Sequence, residues 1–386
     1  MPCLLLTYMT GSAFPLMGQS YSFQVAPAVR LPKDTAIRTL LLSSLDGFLK
    51  QKEQPNHSNT YIWAPELTAT SVLLDEMKGI GYDDSLKHKD FFSPQLVNAT
   101  LLKDSTYLLQ LSYDGIVNGI PAHKAAFRLL ARKKDNRFYI YAPLNRNTTA
   151  WKSRKEGNVV FRYKDSLNHA EARTYASYNE LYLQKLNKTD QQTVLYCCDD
   201  FQEALQLTGI DYKSAYSGIR ANSLSAHESD KSIIVNGYFT SAFNNFDPHD
   251  MWHEKLRIVL SPEKINRPVD EGCAYLYGGS WGLSWEEIKT LFRAYAHKQP
   301  NADWLKLYLD GTDFKEGQEP LKVGYFINAL LIQKLEKEKG FATVMELLAC
   351  GKKEKDDANY FNALQKLTGI TKQQFNANVQ MLVAAL

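Results

Sequence analysis

The chain has few cysteines and none of the close cysteine pairs that build zinc ribbons or dithiol redox centres. Its 386 residues contain five cysteines, and no Cys-x-x-Cys spacing occurs among them, which excludes both kinds of site. Cys197 and Cys198 are adjacent within the apolar run from Thr193 to Cys198. Because neighbouring side chains of a strand point to opposite faces, we expect two small buried residues here and no mutual disulfide.

The chain also has little net charge and no long hydrophobic run. Its 45 Lys and Arg and 42 Asp and Glu leave a formal charge of +3, which is too small to indicate a nucleic acid as partner. Beyond the first 20 residues no run approaches the ~18 apolar residues that span a bilayer, so we expect no transmembrane segment. The length allows two domains, each with a sizeable core.

Residues 1–20 predict a secretory signal peptide. The apolar stretch from Cys3 to Met9 is followed by small residues at Gly11, Ser12 and Ala13, the order of a signal's hydrophobic core and cleavage region. No Lys or Arg precedes the apolar stretch, and a buried N-terminal strand is the alternative interpretation. A cleaved signal would make the protein exported, either periplasmic or secreted.

Residues 21–155 predict a first domain in which helices precede an antiparallel sheet. Two amphipathic helices are predicted, one beginning near Pro32 and one from Pro65 to Lys78. From Phe92 to Lys164 the pattern changes to short runs of β-forming residues, separated by turn pairs such as Asn118-Gly119. Such an order is typical of an α+β domain, and we expect a helix packed on a curved sheet, as in cystatin-like or NTF2-like folds.

Residues 156–386 predict a second α+β domain, in which a small sheet is followed by helices. A strand from Val159 to Tyr163 and a long helix from Leu167 to Leu186 precede strands from Thr193 to Cys198 and from Ser232 to Asn236. The last of these strands is expected at the edge of its sheet, where an extended segment can pair with it. After Gly282 we expect only helices, so that the second domain is mostly helical.

His249 and His253 lie four positions apart in a segment that begins a predicted helix. Side chains at that spacing share one helical face, so one turn of helix brings both imidazoles to one point. Glu271 opens the next predicted helix and can supply a third ligand. Zinc in hydrolases takes three protein ligands and leaves a position for water. These residues therefore predict a zinc site of the His-His-Glu type.

Asp250 follows the first histidine, at the position where the usual zinc-hydrolase motif carries a catalytic glutamate. A carboxylate there takes a proton from the zinc-bound water, whose pKa zinc lowers to roughly 7, and passes it to the leaving amine. Aspartate is one methylene shorter than glutamate, and a misplacement of about 1 Å can cost on the order of 100-fold in rate. We therefore expect weakened activity or none.

The same segment also fits a helix start without any metal. Asp247 followed by Pro248 is a favourable N-cap and first helical residue, and Asp250 would then meet the helix dipole in the first turn. In that interpretation His249 is a surface residue and the stretch from His253 to Lys255 is solvated. Both interpretations are open at the level of sequence.

The stretch from Asn158 to Leu386 resembles the gluzincin class of zinc metallopeptidases, and within it the peptidase MA-like domains of exported bacterial proteins. The order of strands and helices carries the resemblance, together with His-Asp-Met-Trp-His at 249–253 and Asp-Glu-Gly-Cys-Ala-Tyr at 270–275. It covers over half the chain. It implies that the three predicted ligands hold zinc, and that Asp250 takes the general-base position in place of glutamate.

Families of this class often stabilise the tetrahedral oxyanion with a tyrosine or a histidine, and no motif marks that residue here. Tyr325, Tyr277 and Tyr275 are candidates for this catalytic role and equally for core packing. The resemblance implies an exported zinc metallopeptidase that cleaves a peptide or protein substrate with weakened activity. The alternative is a catalytically inactive relative that binds or scaffolds a partner in the cell envelope.

Overall fold

The computed structural model describes residues 21–83, 87, 91–238, 242–244 and 246–386. The predicted signal peptide at residues 1–20 lies outside this described part. Helices and sheets both contribute to the chain, which confirms the predicted α+β class. Among the described helices, none combines the length and the apolar character that a membrane span requires.

The elements of the described residues form two compact units. The helices are α1 (Thr35–Lys50), α2 (Leu67–Met77), α3 (Leu144–Asn147), α4 (His169–Lys185), α5 (Phe201–Thr208), α6 (Pro248–Val259), α7 (Arg267–Gly278), α8 (Trp285–His297), α9 (Trp304–Leu309), α10 (Val323–Lys339), α11 (Phe341–Leu348), α12 (Ala358–Thr368) and α13 (Phe375–Ala384). The strands are β1 (Gln24–Val25), β2 (Ser93–Leu101), β3 (Tyr107–Val117), β4 (Ile120–Lys134), β5 (Arg137–Tyr141), β6 (Lys152–Glu156), β7 (Val159–Tyr163), β8 (Gln192–Cys197), β9 (Ile210–Lys213), β10 (Ser223–Glu228), β11 (Lys231–Asn236), β12 (Asp313–Lys315) and β13 (Leu321–Lys322). The first unit consists of the residues up to Asn147 with Leu205–Gly218, and the second of Thr148–Ala204 with Ile219–Leu386.

The first unit packs helices α1 and α2 on a sheet with the strand order β1-β2-β3-β4-β5. Helix α1 begins at Asp34, whose carboxylate accepts hydrogen bonds from two backbone N–H groups of the first turn at 2.8 and 3.1 Å. Ser44 ties this helix to β5, because its hydroxyl accepts a hydrogen bond from the backbone N–H of Phe138. The predicted turn at Asn118 and Gly119 joins β3 to β4, and both residues have the positive φ that such a tight hairpin requires.

Strand β9 belongs to the first unit although the second unit has already begun before it in the sequence. It pairs with β4 in antiparallel register, and Arg128 of β4 forms an ion pair with Asp211 of β9. No local pattern in the sequence indicates this strand. The first unit's continuous part ends at Asn147 rather than at the predicted residue 155, because β6 pairs with β7 in the second sheet.

The second unit contains a mixed sheet with the strand order β10-β11-β8-β7-β6. The three central strands, β11, β8 and β7, run parallel to one another and are the strands that the sequence predicts. Cys197 and Cys198 are fully buried and form no disulfide, as expected. The expectation that the strand ending at Asn236 lies at the edge is wrong, because β10 pairs with it in a hairpin and forms the edge itself.

Helices build most of the core of the second unit. Gly272 of α7 approaches α10 so closely that a Cβ atom there would lie 2.6 Å from the Cβ atom of Asn328. Trp252 of α6 is fully buried in the same core. The expectation of only helices after Gly282 is wrong at β12 and β13, which form a short antiparallel ribbon. Gly317, at positive φ, lies in the turn between them.

Candidate metal centre

Helix α6 presents two histidines to the same point. It begins as the sequence predicts, with Asp247 Oδ1 accepting a hydrogen bond from the backbone N–H of His249 at 2.9 Å and Pro248 at the first helical position. His253 follows one turn later, and the Nε2 atoms of the two imidazoles lie 3.2 Å apart. The two side chains are 13% and 16% exposed, so the interpretation of His249 as a surface residue is wrong.

Glu271, near the start of α7, lies beside the two histidines and forms with them a cluster of three side chains, called the ligand group below. Its Oε2 atom lies 3.4 Å from Nε2 of His249, and the ligand atoms of Glu271, His249 and His253 all lie within 4.8 Å of one another. Ligand atoms that each bind one zinc ion at about 2.0–2.2 Å are separated by distances of this order. The structure therefore brings together the three residues that the sequence predicts as ligands, and these side chains fit a zinc ion.

A second layer of hydrogen bonds orients both imidazole rings. Nδ1 of His249 lies 2.8 Å from the carbonyl oxygen of Gly279, and Nδ1 of His253 lies 2.9 Å from Asp270 Oδ2. Because carbonyl and carboxylate oxygens accept, both Nδ1 atoms carry the hydrogen and donate it. Each Nε2 atom then keeps its lone pair free to bind a metal ion. Metal-ligating histidines have this arrangement.

Two facing Nε2 lone pairs at 3.2 Å need a shared cation, either a proton or a metal ion. Burial opposes the charging of His249, but its contacts with Glu271 and the Gly279 carbonyl outweigh burial and raise its pKa. Burial likewise opposes ionisation of Glu271, yet its contact with His249 and the charges of both histidines and Arg267 lower its pKa. The centre is therefore built to hold positive charge between these side chains.

Asp270 and Gly279 contact the two histidines, and sequence reasoning missed both of them. The second carboxylate oxygen of Asp270 accepts a hydrogen bond from Trp252 Nε1 at 3.0 Å, so one acid joins a candidate ligand to a buried indole. Its position directly before Glu271 is a usable signal, because α7 then supplies both a ligand and the support of another ligand. Gly279 gives no comparable signal, since it acts through a backbone carbonyl, which every residue has.

The loop from Gly278 to Gly282 has the Gly-x-Ser-x-Gly spacing of serine hydrolases without their architecture. In those enzymes the serine lies on a turn from a strand to a helix, whereas Ser280 follows helix α7 and is buried. Gly279 has a φ of 77°, and a side chain there would collide with the backbone of Leu283. A residue without a side chain at this position lets the backbone carbonyl reach His249.

Asp250, the predicted general base, lies outside the ligand group. It occupies the first turn of α6 and is exposed. It lines a cavity of about 290 Å³ together with His253, and Ser223 and Ser225 of the edge strand β10 line the same cavity. The acid therefore shares one cavity with a candidate metal ligand and with a strand edge.

The stretch after His253 is not solvated, contrary to one interpretation of the sequence. Lys255 is fully buried, and its Nζ donates to Thr193 Oγ1 at 3.2 Å. Burial lowers the pKa of this lysine to about 8. Glu254 lines the same cavity as Asp250, and burial raises its pKa. Helix α6 therefore places ionisable groups against the sheet as well as at the ligand group.

The three tyrosine candidates differ in what they contact. The hydroxyl of Tyr277 donates a hydrogen bond to Glu336 at 2.6 Å, and the hydroxyl of Tyr275 accepts one from the backbone N–H of Lys322 at 3.3 Å. Tyr325 is partly exposed and interacts electrostatically with Arg267, whose Nε lies 3.4 Å from Glu271 Oε1. Burial and the charge of Glu271 raise the pKa of Tyr325, so its hydroxyl keeps its proton. Tyr325 is thus connected to the ligand group through Arg267.

Comparison with known proteins adds no family to this geometry. No protein-family model matches the chain, and no curated protein matches it significantly. The resemblance to gluzincins therefore stays a prediction, and its support comes from the ligand group and from the hydrogen bonds that orient the two histidines.

Proposed function

We propose that the protein is an exported zinc-dependent peptide hydrolase of the gluzincin type. The observation that carries this proposal is the pair of Nε2 atoms of His249 and His253, 3.2 Å apart, with each Nδ1 already donating to another acceptor. Glu271 adds a third ligand atom and a negative charge. Three ligands of this type beside a cavity leave the open coordination position that catalytic zinc needs.

The chain's own residues supply most of the chemistry in this proposal. When bound, zinc contributes a polarising charge and a water of lowered pKa. Asp250 lines the cavity beside His253, and its carboxylate is our candidate for accepting a proton and returning it to the leaving amine. Tyr325 keeps its proton and is our candidate for donating a hydrogen bond to the developing oxyanion.

The edge strand favours an extended peptide as substrate. β10 is the terminal strand of its sheet, and its residues Ser223 and Ser225 line the same cavity as Asp250 and His253. An unpaired strand edge binds an extended peptide through main-chain hydrogen bonds. A peptide laid along β10 would therefore pass the ligand group, which suits hydrolysis of unstructured peptide or protein segments.

A second candidate function is that of a catalytically inactive peptidase-like protein, which binds or scaffolds a partner in the cell envelope. The exposure of Asp250 outside the ligand group favours it. The shorter aspartate must reach a water that the longer glutamate reaches in the usual motif, and about 1 Å of misplacement can cost on the order of 100-fold in rate. The metal would then hold α6 to α7, and the cavity would bind without cleaving.

Zinc content tests the metal centre. Elemental analysis of the purified chain is expected to give close to one zinc ion per chain, and His249→Ala is expected to lose it. His297→Ala is a matched control, because this histidine lies in the last turn of α8 and outside the ligand group. A zinc content near zero, unchanged by added zinc and by His249→Ala, would overturn the proposal.

Hydrolysis separates the two candidate functions. Zinc-loaded protein is incubated with unstructured peptides, with and without a chelator, and the products are counted by mass spectrometry. Cleavage that stops with chelator and with His249→Ala supports the peptidase. Peptide binding without any cleavage by the zinc-loaded protein supports the inactive relative instead.

A further inference from the structure

We propose that the substrate of this metal centre carries a carboxylate, which a basic cleft beside the centre binds. This inference rests on the proposed peptidase function and specifies its substrate class. The basic cleft is a cavity of about 410 Å³ that includes His253 and Glu271 of the ligand group in its wall. Its cationic residues are Arg257, Arg267, Lys352 and Lys353.

Cationic side chains outnumber carboxylates in the basic cleft. Its four cations are accompanied by two acids, Asp270 and Glu271, and both acids are already engaged with histidines of the metal centre. A bound zinc ion would add further positive charge. The cleft therefore has an excess of positive charge, which raises the local concentration of anionic substrates.

The nearby acids leave these cations able to bind another anion. Nε of Arg267 lies 3.4 Å from Glu271 Oε1, and Nζ of Lys353 lies 3.3 Å from Asp357 Oδ2. The side chain of Arg267 is 79% exposed and that of Lys353 is 54% exposed, so both can turn donors toward a ligand. Of the other two cations, Arg257 interacts electrostatically with Glu254 and Lys352 with Glu263.

The sign of the charge changes across the metal centre. The cavity along β10 is lined by the acids Asp247, Asp250 and Glu254. It shares His253 and Arg257 with the basic cleft, so the two cavities adjoin at the ligand group. An extended peptide that crosses this group meets acidic walls on one side and basic walls on the other. Such complementarity favours one direction of binding, with the carboxylate in the basic cleft.

Two kinds of carboxylate fit the basic cleft, namely an acidic side chain and the free C-terminus of a peptide. Arg257 and Arg267 carry planar guanidinium groups that match a carboxylate with two parallel hydrogen bonds. Lys352 and Lys353 add compact point charges. The two sources share this chemistry, and peptides that differ in a single group distinguish them.

Binding of matched peptides to the zinc-loaded full chain tests the inference. The peptides carry glutamate or glutamine at one internal position and a free or an amidated C-terminus, and calorimetry gives each dissociation constant. At least one carboxylate form is expected to bind about tenfold more tightly than its neutral partner. The difference is expected to shrink at high salt, which screens exposed charges. Equal affinity for the charged and neutral peptides would overturn the inference.

Charge reversal assigns the preference to the cleft. The double variant Lys352→Glu with Lys353→Glu is expected to abolish the preference for carboxylate peptides while the zinc content stays unchanged. Lys352→Glu alone keeps the ion pair between Lys353 and Asp357 and is expected to reduce this preference. Lys337→Glu with Lys366→Glu makes the same charge change at exposed residues outside the cleft and is expected to preserve it. An equal loss in this control pair would overturn the inference.

Two further outcomes separate the alternatives. A single-stranded oligonucleotide that binds as tightly as the acidic peptides would identify a general polyanion surface and overturn the inference. A wild-type chain that holds no zinc would overturn the proposed function. The carboxylate preference is read from binding rather than from cleavage, so it holds or fails separately from the hydrolase activity.

Discussion

Asp270 Oδ2 lies 2.9 Å from Nδ1 of His253, while its other oxygen accepts a hydrogen bond from the buried Trp252. Glu271, the next residue of the same helix, lies against His249. Helix α7 therefore supplies one candidate ligand and orients another. The core of the second unit and the ligand group are joined through this one turn of helix.

Asp270→Asn is expected to weaken zinc binding by about 10–100-fold, because a neutral amide supports the His253 ring less well than a carboxylate does. The measurement is a zinc titration in competition with a chelator of known affinity. Asp230→Asn, at an exposed turn, is the matched control and is expected to leave the dissociation constant unchanged. An unchanged constant in Asp270→Asn would show that this acid does not act on the metal centre.

Asp250→Glu is expected to raise or create peptide hydrolysis, by up to about 100-fold, because the longer side chain restores the usual reach to a zinc-bound water. Asp250→Asn is expected to remove the activity, since the amide cannot accept the proton. Rates are measured with an unstructured peptide, and zinc content is checked to be equal in all variants. If Asp250→Glu hydrolyses the peptide more slowly than the wild type does, the prediction is wrong and the cavity is shaped for aspartate.

Lys255 predicts a rise in stability with pH in mildly alkaline solution. Its pKa is about 8 in the folded chain and near 10.5 as a free group, so between these values the unfolded chain binds more protons. The free energy of unfolding then increases with pH, by at most about 3 kcal/mol for this group. Lys255→Met is expected to lose this slope and to be as stable as the wild type, or more so, at neutral pH.

Urea unfolding between about pH 8 and pH 9.5 measures how the free energy of unfolding changes with pH. A chelator is present so that metal binding adds no pH dependence of its own. Lys337→Met, at an exposed position of α10, is the control and is expected to keep the wild-type slope. A slope that persists in Lys255→Met would assign the pH dependence to other groups.

Gly272→Ala is expected to destabilise the second unit by about 1–3 kcal/mol, because a Cβ atom there would lie 2.6 Å from Asn328 Cβ and 3.0 Å from the backbone of α10. A shift of α7 would also move Glu271, so zinc affinity is expected to fall. Gly324→Ala is the matched control, since the nearest atom to its Cβ would be in the ring of Tyr308, at 3.2 Å. Urea unfolding and zinc titration check both effects, and equal stability losses in the two variants would contradict the close packing of α7 on α10.

Features set by neighbouring residues were predictable from the sequence. The helix start at Asp247 and Pro248 and the hairpin turn at Asn118 and Gly119 both occur as expected, because each depends on residues only a few positions apart. The three central strands of the second sheet follow from their apolar runs. Strands β9 and β10 were not predicted, because short polar strands depend on partners that local pattern does not reveal.

The sequence by itself determined that His249 and His253 share one helical face, since a spacing of four residues in a capped helix leaves no other arrangement. Only the tertiary structure decided that Glu271, Asp270 and the Gly279 carbonyl reach those two rings. The tertiary structure also decided that the basic cleft lies beside the ligand group and that Asp250 lies outside this group. These relationships depend on how α7 packs between its neighbours, and such packing is set by contacts between residues far apart in the chain.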